Sequence, residues 1–290
     1  MEPQRQETRG ASEKVRRYFR EVSERHKLPP LPVVVATALK MIRDPDVEIA
    51  ALCRVLSDDA ALTARVLSLS RSPIYGRRHL PVSLHEAITV LGLRALRRAL
   101  LAAATHTLCR ANTQVSKALW NHSLAAALAA QTLARAVKSG EADRAFLVGL
   151  LHDVGEMVLL HGDPGGSEKL WRRAQEEKLP MIECEKAAYG FDHTLIGLTL
   201  IDCWNLEHEI GEALLTHHNH DDDGAQPDSL DALLRMADYL AHAAGLGFFT
   251  EPPFPPEPVL RFFGCDTPEG LARLVEEVRE AFEAENSLFA

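Results

Sequence analysis

The side chains best suited to chemistry in this sequence are histidines and aspartates set among apolar residues. The sharpest group is Leu150-Leu151-His152-Asp153-Val154-Gly155. An adjacent imidazole and carboxylate at the end of an apolar helix, ahead of a glycine, can both turn toward one cation. Nitrogen and oxygen donors together suit a divalent transition metal or Mg²⁺. Thirty residues earlier stands His122, inside an alanine-rich stretch. Far downstream stands Asp238, within Leu233-Leu234-Arg235-Met236-Ala237-Asp238-Tyr239-Leu240. A carboxylate in so apolar a helix is costly to bury unless it is paired or binds a metal.

More imidazoles follow at His193, in Asp192-His193-Thr194, and at the pair His217-His218. His193 has two open readings, a polar contact at a helix N-terminus or a member of the same site. His217 and His218 are neighbours, and successive helical residues point about 100° apart, so one of the two is expected to face the site. Glu156 is expected as a surface carboxylate, with a surrogate ligand as its alternative. His220, Asp221, Asp222 and Asp223 read as a solvated loop, and Trp120, Trp171 and Trp204 as core or rim packing.

The elements that must position these residues read as helices throughout. Alanine and leucine, both strong helix formers, are plentiful, and aromatics are only 6%. Ser12 is expected to cap a short helix with an apolar stripe of Val15, Tyr18, Phe19 and Val22, broken by Leu28-Pro29-Pro30-Leu31-Pro32. Short helices follow to about residue 107, punctuated by Asp44-Pro45-Asp46, by a loop through Pro73, Gly76 and Pro81, and by Gly92. Ser83 and Glu86 form a capping-box pattern. A long helix over residues 116–137 carries alanines at 125, 126, 127, 129, 130 and 134, which let neighbouring backbones approach closely. A helical stretch over 142–160 is expected to break at Gly155, and further helices are expected over 168–177, 181–189, 193–204, 208–217 and 230–244. Residues 251–258 hold five prolines and read as an extended spacer. Thr267-Pro268-Glu269 then caps a final amphipathic helix.

Charge and cysteine usage narrow the classes further. A formal net charge of −9 and a pI near 5.8 argue against a nucleic-acid footprint over the whole molecule. A local basic stripe exists at Arg94, Arg97 and Arg98, with Arg71, Arg77, Arg78 and His79 just before. It reads as a solvated helix face and a charged loop. Five scattered cysteines with no CxxC pair fit a reducing compartment. The polar N-terminus has no apolar signal core, and no run is expected to reach the roughly 18 apolar residues that span a bilayer. The expected location is cytoplasmic, with no membrane association.

The ordered set of His122, His152-Asp153 and Asp238 resembles that of the HD superfamily of metal-dependent phosphohydrolases, and the resemblance implies that these four residues hold a metal. His193, His217 and His218 resemble the expanded set of its two-metal members. Two departures set the chain apart from the cyclic-dinucleotide phosphodiesterases of the HD-GYP branch. Glu156 stands where they carry a lysine, and no Gly-Tyr-Pro follows His217-His218. The chain is more similar to the HDOD family, the HD-related output domain, over about residues 28–245. The matching segments include Leu28-Pro29-Pro30-Leu31-Pro32, Asp58-Asp59-Ala60-Ala61-Leu62-Thr63, Trp120-Asn121-His122-Ser123, Gly149-Leu150-Leu151-His152-Asp153, Gly190-Phe191-Asp192-His193 and Trp204-Asn205-Leu206. It departs from that family at Asp59-Ala60, where Asp-Pro is usual, and at Arg71-Ser72, where Asn-Ser is usual.

The expected fold is all-α, an HD-domain-like helical bundle with an N-terminal helical lobe. A tail and helix (1–27) precede an HDOD domain (28–248, lobes 28–112 and 113–248) and a proline-rich spacer with a C-terminal helix (249–290). The resemblance implies a non-catalytic binding and output module in bacterial signal transduction whose partners are signalling proteins, and the protein is expected to be a stand-alone one. The alternative is a metal-dependent phosphohydrolase acting on a nucleotide or phosphodiester. Three readings of the four core residues stay open: a metal-free polar network inherited from an enzyme, a bound divalent ion (Fe, Mn, Mg, Ni or Zn) without turnover, or a working hydrolase. Association with nucleic acid through Arg94, Arg97 and Arg98 is the weakest reading.

Overall fold

The computed structural model describes residues 13–18, 20–21, 31–71, 80–109, 113–219, 226–227, 229–247 and 255–289, and every regular element among the described residues is helical. The expectations at Ser12, Phe19, Val22, Pro29, Pro30, Pro73, Gly76, Arg77, Arg78, His79 and in the loop from His220 to Asp223 lie outside the described residues. The chain divides into two compact units, Pro29–Thr107 with Phe282–Ala290, and Met1–Leu28 with Leu108–Ala281.

The first unit contains α1 (Val33–Ile42), α2 (Ile49–Leu56), α3 (Ala60–Ser70) and α4 (Leu84–Leu108), with α1 packed on α2 and α2 on α3. Val35 and Leu39, one turn apart, are buried, as are Leu52, Leu56, Leu62 and Val66. Asp59 caps α3 by accepting from Leu62 N–H at 2.9 Å, so the departure at Ala60 leaves the helix start intact. The cap before α4 is a variant of the expected box. Ser83 Oγ accepts from Glu86 N–H, while the Glu86 carboxylate reaches past Ser83 to Val82 N–H at 3.0 Å. Gly92 (φ 74°) interrupts α4, as its sequence position suggests, since only glycine adopts that conformation freely.

The second unit holds α5 (Gln114–Ala136), α6 (Ala142–Leu151), α7 (Val154–Gly162), α8 (Pro164–Glu177), α9 (Met181–Tyr189), α10 (His193–Cys203), α11 (His208–Thr216) and α12 (Leu230–Ala241). A π-helical turn (His242–Leu246), α13 (Glu257–Phe262) and α14 (Pro268–Phe289) follow, with α14 from Phe282 onward belonging to the first unit. The alanine stripe of α5 does what its composition suggests. A side chain on Gly149 of α6 would sit 2.5 Å from the carbonyl oxygen of Ala126, so the two backbones touch where neither helix carries bulk. α12 lies against α5, and Leu133, Leu233, Met236 and Leu240 share one core with Leu260, Phe263, Leu274 and Val278. Burying such side chains contributes roughly 1.5–3 kcal/mol each.

Three expectations about elements need correction. The break in the 142–162 stretch falls between α6 and α7 at His152 and Asp153, and Gly155 lies inside α7. Its missing side chain serves packing instead, because a Cβ there would stand 1.9 Å from the carbonyl oxygen of His193. That same stretch, Ala142–Gly162, is long and apolar enough to cross a membrane by length and composition, contrary to the expectation that no run qualifies. It is 89% buried inside the protein and bent around the His–Asp pair, which is the behaviour of a core element. The spacer also gains structure at its end. Glu257–Phe262 is helical with Pro258 in its first turn, where a missing N–H removes no hydrogen bond.

Candidate metal centre

Each member of the predicted set is delivered by a helix end or a helix face that local sequence explains. His122 sits mid-way along α5, on the stripe that meets α6. His152 and Asp153 are the residues at which α6 stops and α7 starts, so the bend turns both side chains inward. Gly190 ends α9 in the left-handed conformation (φ 78°), and Asp192 caps α10 by accepting from Leu195 N–H and Thr194 Oγ1. His193 is thereby placed at the first position of α10. Asp238 lies on the inner face of α12.

The predicted residues converge. His122 Nε2 stands 3.2 Å from His152 Nε2, 3.1 Å from Asp238 Oδ1 and 3.5 Å from Asp153 Oδ2, while His152 Nε2 is 3.0 Å from Asp153 Oδ2. The other carboxylate oxygen of Asp153 turns to a second group. His193 Nε2 and His217 Nε2 are each 3.7 Å from Asp153 Oδ1, and His193 Nε2 is 3.1 Å from His218 Nε2. Asp153 therefore joins two clusters, one oxygen to each. All of these side chains are buried except His218, which is half-buried.

Two expectations are overturned at this point. Both His217 and His218 face the centre: His217, the residue that caps α11, and His218, in the turn after it, each offer a ring nitrogen to the group with Asp153 and His193. Glu156 is no surface carboxylate. It is 2% exposed, with Oε1 3.7 Å from His193 Nδ1.

Two further residues belong to the centre that the sequence did not single out. Glu185 of α9 is fully buried and accepts from both His193 Nδ1–H (2.6 Å) and His193 N–H (2.9 Å). His242 opens the π-helical turn with Nδ1 3.2 Å from Asp238 Oδ1. An i, i+4 step from Asp238 could have drawn attention to His242. Glu185 carries no comparable local signal, since the Gly190 turn that folds α9 back onto α10 is what brings it to His193.

The outer hydrogen bonds fix the imidazoles in one sense. His152 Nδ1 donates to Gly149 O (2.8 Å), His217 Nδ1 to Leu214 O (2.6 Å) and His193 Nδ1 to Glu185, and in each case Nε2 is left to point inward. This is the outer support typical of metal-binding histidines. His217 Nε2 is buried without a hydrogen bond. Asp238 Oδ1 has two imidazole nitrogens within 3.2 Å and a well-formed hydrogen bond to neither.

Protonation follows from the crowding. Burial works against every ion here, and the local partners decide the outcome. Against burial, Asp153 raises His152 to about 9 and Glu185 lifts His193 well above the ordinary imidazole range. Burial keeps His122 low, and burial with His217 and His193 pushes His218 well down. Asp153 and Asp238 are held well below the usual carboxylate range by neighbouring imidazoles despite burial. Burial and the charge of Asp153 drive Glu156 well up. Against burial, Asp238 in turn raises His242.

The residues present fit divalent cations. Around a metal with bonds of about 2.1 Å, adjacent donor atoms stand about 3.0 Å apart in an octahedron and about 3.4 Å apart in a tetrahedron. Several inward-facing spacings, from 3.0 to 3.5 Å, fall in that range. Among the described residues, the buried charged side chains are carboxylates and imidazoles, with no buried lysine or arginine. Buried His/Asp clusters of this kind can hold a metal.

An all-helical body with a buried His–Asp centre at helix ends defines a domain of the HD-like class. A family model for the HDOD domain matches residues 28–220, and the chain belongs to that family. The chain is similar to the crystal structure of an HDOD domain protein of unknown function from Geobacter sulfurreducens, at 26% identity and a TM-score of 0.77, covering 97% of this chain and 99% of that one. A structure of a candidate phosphohydrolase from Shewanella amazonensis SB2B shares the fold, at 23% identity and a TM-score of 0.67, covering 94% and 98%. A protein of Treponema pallidum (strain Nichols) is 26% identical over 266 residues, and the chain spans about half the length of that curated relative (90% of this chain, 50% of the relative).

Proposed function

We propose that this chain is a regulatory HDOD module whose buried centre holds divalent cations as part of its structure, and that it acts in bacterial signal transduction through contacts with other signalling proteins. In this reading His122, His152, Asp153 and Asp238 hold one cation, and Asp153, His193, His217 and His218 hold a second. The supporting observation is Asp153, whose two oxygens face two separate groups of inward-pointing imidazole nitrogens. Family membership supports the output role.

The alternative, a metal-dependent phosphohydrolase acting on a nucleotide or phosphodiester, is favoured by the convergence of the complete ligand set. A bound metal would supply Lewis acidity and an activated water. The chain's own groups would orient that chemistry through Asp153 and keep the imidazoles aligned through Gly149, Leu214 and Glu185. Against turnover stands the character of the enclosure. Glu156 adds a buried carboxyl 3.7 Å from His193 Nδ1, and among the described residues no lysine or arginine is buried to meet a substrate's charge.

Metal analysis of protein purified without a histidine tag, followed by assays on generic phosphodiesters, tests the proposal. Bound divalent metal without turnover is expected. Turnover that disappears in His152→Ala and Asp153→Ala would establish the hydrolase instead.

A further inference from the structure

We infer that the two halves of the centre are built for different cations, a nitrogen-rich half for a borderline transition ion such as Zn²⁺, Co²⁺ or Fe²⁺, and a carboxylate-rich half for a harder ion such as Mn²⁺ or Mg²⁺. The inference rests on the cation-holding reading above and assigns a chemistry to each half.

The donor sets differ in kind. One half offers three imidazole nitrogens, from His193, His217 and His218, with a single carboxylate oxygen, Asp153 Oδ1. The other offers two imidazole nitrogens, from His122 and His152, with two carboxylate oxygens, Asp153 Oδ2 and Asp238 Oδ1, while the neighbouring His242 turns its Nδ1 to the Asp238 carbonyl oxygen at 3.1 Å. Asp153 is common to both, so the contrast reduces to His218 on one side and Asp238 on the other. Imidazole favours Zn, Fe, Co and Ni over Mg and Mn, while carboxylate and water suit the harder ions.

The outer layer widens the gap. His193 is backed by the Glu185 carboxylate at 2.6 Å, and a carboxylate behind an imidazole makes the inward nitrogen a stronger donor. In the other half, His152 is backed only by the neutral carbonyl of Gly149, and His122 Nδ1 has no hydrogen bond. Asp238 Oδ1, with His242 Nδ1 3.2 Å away, adds a hard oxygen donor to that half. The carboxylate-backed imidazole, His193, thus lies on the nitrogen-rich side of Asp153, whereas His217, like His152, is backed by a neutral carbonyl.

Chelated full-length protein loaded with two equivalents of Co²⁺ and excess Mn²⁺, then desalted, provides the test. Elemental analysis is expected to return one cobalt and one manganese per chain, and the visible spectrum of cobalt should report an imidazole-rich site. His218→Asp should lower the preference of that site for Co²⁺ over Mn²⁺ by about tenfold or more, and Asp238→His should raise the cobalt preference of the other half by a similar factor, so that two cobalts are recovered. The two variants act independently, and circular dichroism identifies one that fails to fold, leaving the other to decide. Two metals distributed without preference, or folded variants that leave the preference unchanged, would overturn the inference while the cation-holding reading stands. Failure to bind either metal would remove both.

Discussion

The two units of this chain bury different kinds of residue. Among its described residues, the unit built on Pro29–Thr107 buries Ser70 and Thr105 as its only polar side chains, and its interior is otherwise leucine, valine, isoleucine and alanine with Pro81 and Phe282. The unit of Leu108–Ala281 buries His122, His152, Asp153, Glu156, Glu185, Asp192, His193, His217 and Asp238. Buried ionisable groups are destabilising unless each is matched. Their concentration in one unit sets it apart from the other, whose buried side chains are nearly all apolar. The lesson is that the helical body and the centre answer to separate constraints, and substitutions should separate them.

The largest effect is expected from Asp153→Ala. It removes the group shared by both clusters and leaves several imidazoles without a counter-charge. Denaturation of the chelated protein should show a loss of about 3–5 kcal/mol, the usual result of breaking a buried ionic group on one side. Metal content should fall to background in the same variant. Leu52→Ala in the packing unit should cost a comparable 2–5 kcal/mol, roughly, through its cavity, yet leave metal content unchanged. Parallel loss of metal in the leucine variant would break the contrast between the units.

Ligand linkage should sharpen it. Adding divalent metal at 100 times its dissociation constant is expected to stabilise the wild type by about 2.7 kcal/mol for each ion bound and to leave Asp153→Ala where it was. A smaller change, of roughly 1–3 kcal/mol, is expected for Gly155→Ala, whose new methyl would meet the His193 carbonyl. That variant should also weaken metal binding, since it displaces the residue that carries His193. Unaltered stability and affinity would show that α7 and α10 can separate freely.

The smallest effect concerns pH. Burial and Asp153 raise the Glu156 carboxyl, so in the chelated protein the native state holds a proton that the unfolded chain has released above the ordinary glutamate range. More protons bound in the native state means stability that falls as pH rises through that window. Glu156→Gln, which mimics the protonated acid, should flatten this slope. A slope identical in the two proteins would show that Glu156 does not carry the proton.

What the sequence disclosed, and what it hid, follows from the range of the interactions. The alanine stripe, Gly92, the Asp59 cap and the Asp192 cap act within a turn or two, and their signals are local. The His122, His152-Asp153 and Asp238 order was legible because polar residues stand out in apolar helices. Glu185 and Glu156 were not legible as buried groups, because glutamate on a helix ordinarily faces water and only tertiary packing turned these two inward. Gly155 was misread for a related reason. A glycine near a helix end looks like a breaker, and the neighbour it makes room for, His193, lies far along the chain.

Counting divalent cations on the untagged protein, before and after the substitution Asp153→Asn, tests the central claim most directly. Two ions per chain in the wild type, and a loss of both when one carboxylate oxygen becomes an amide, is the outcome expected of a residue that holds the two clusters together. A wild type that binds none from solution, or a variant that keeps its full complement, would contradict it.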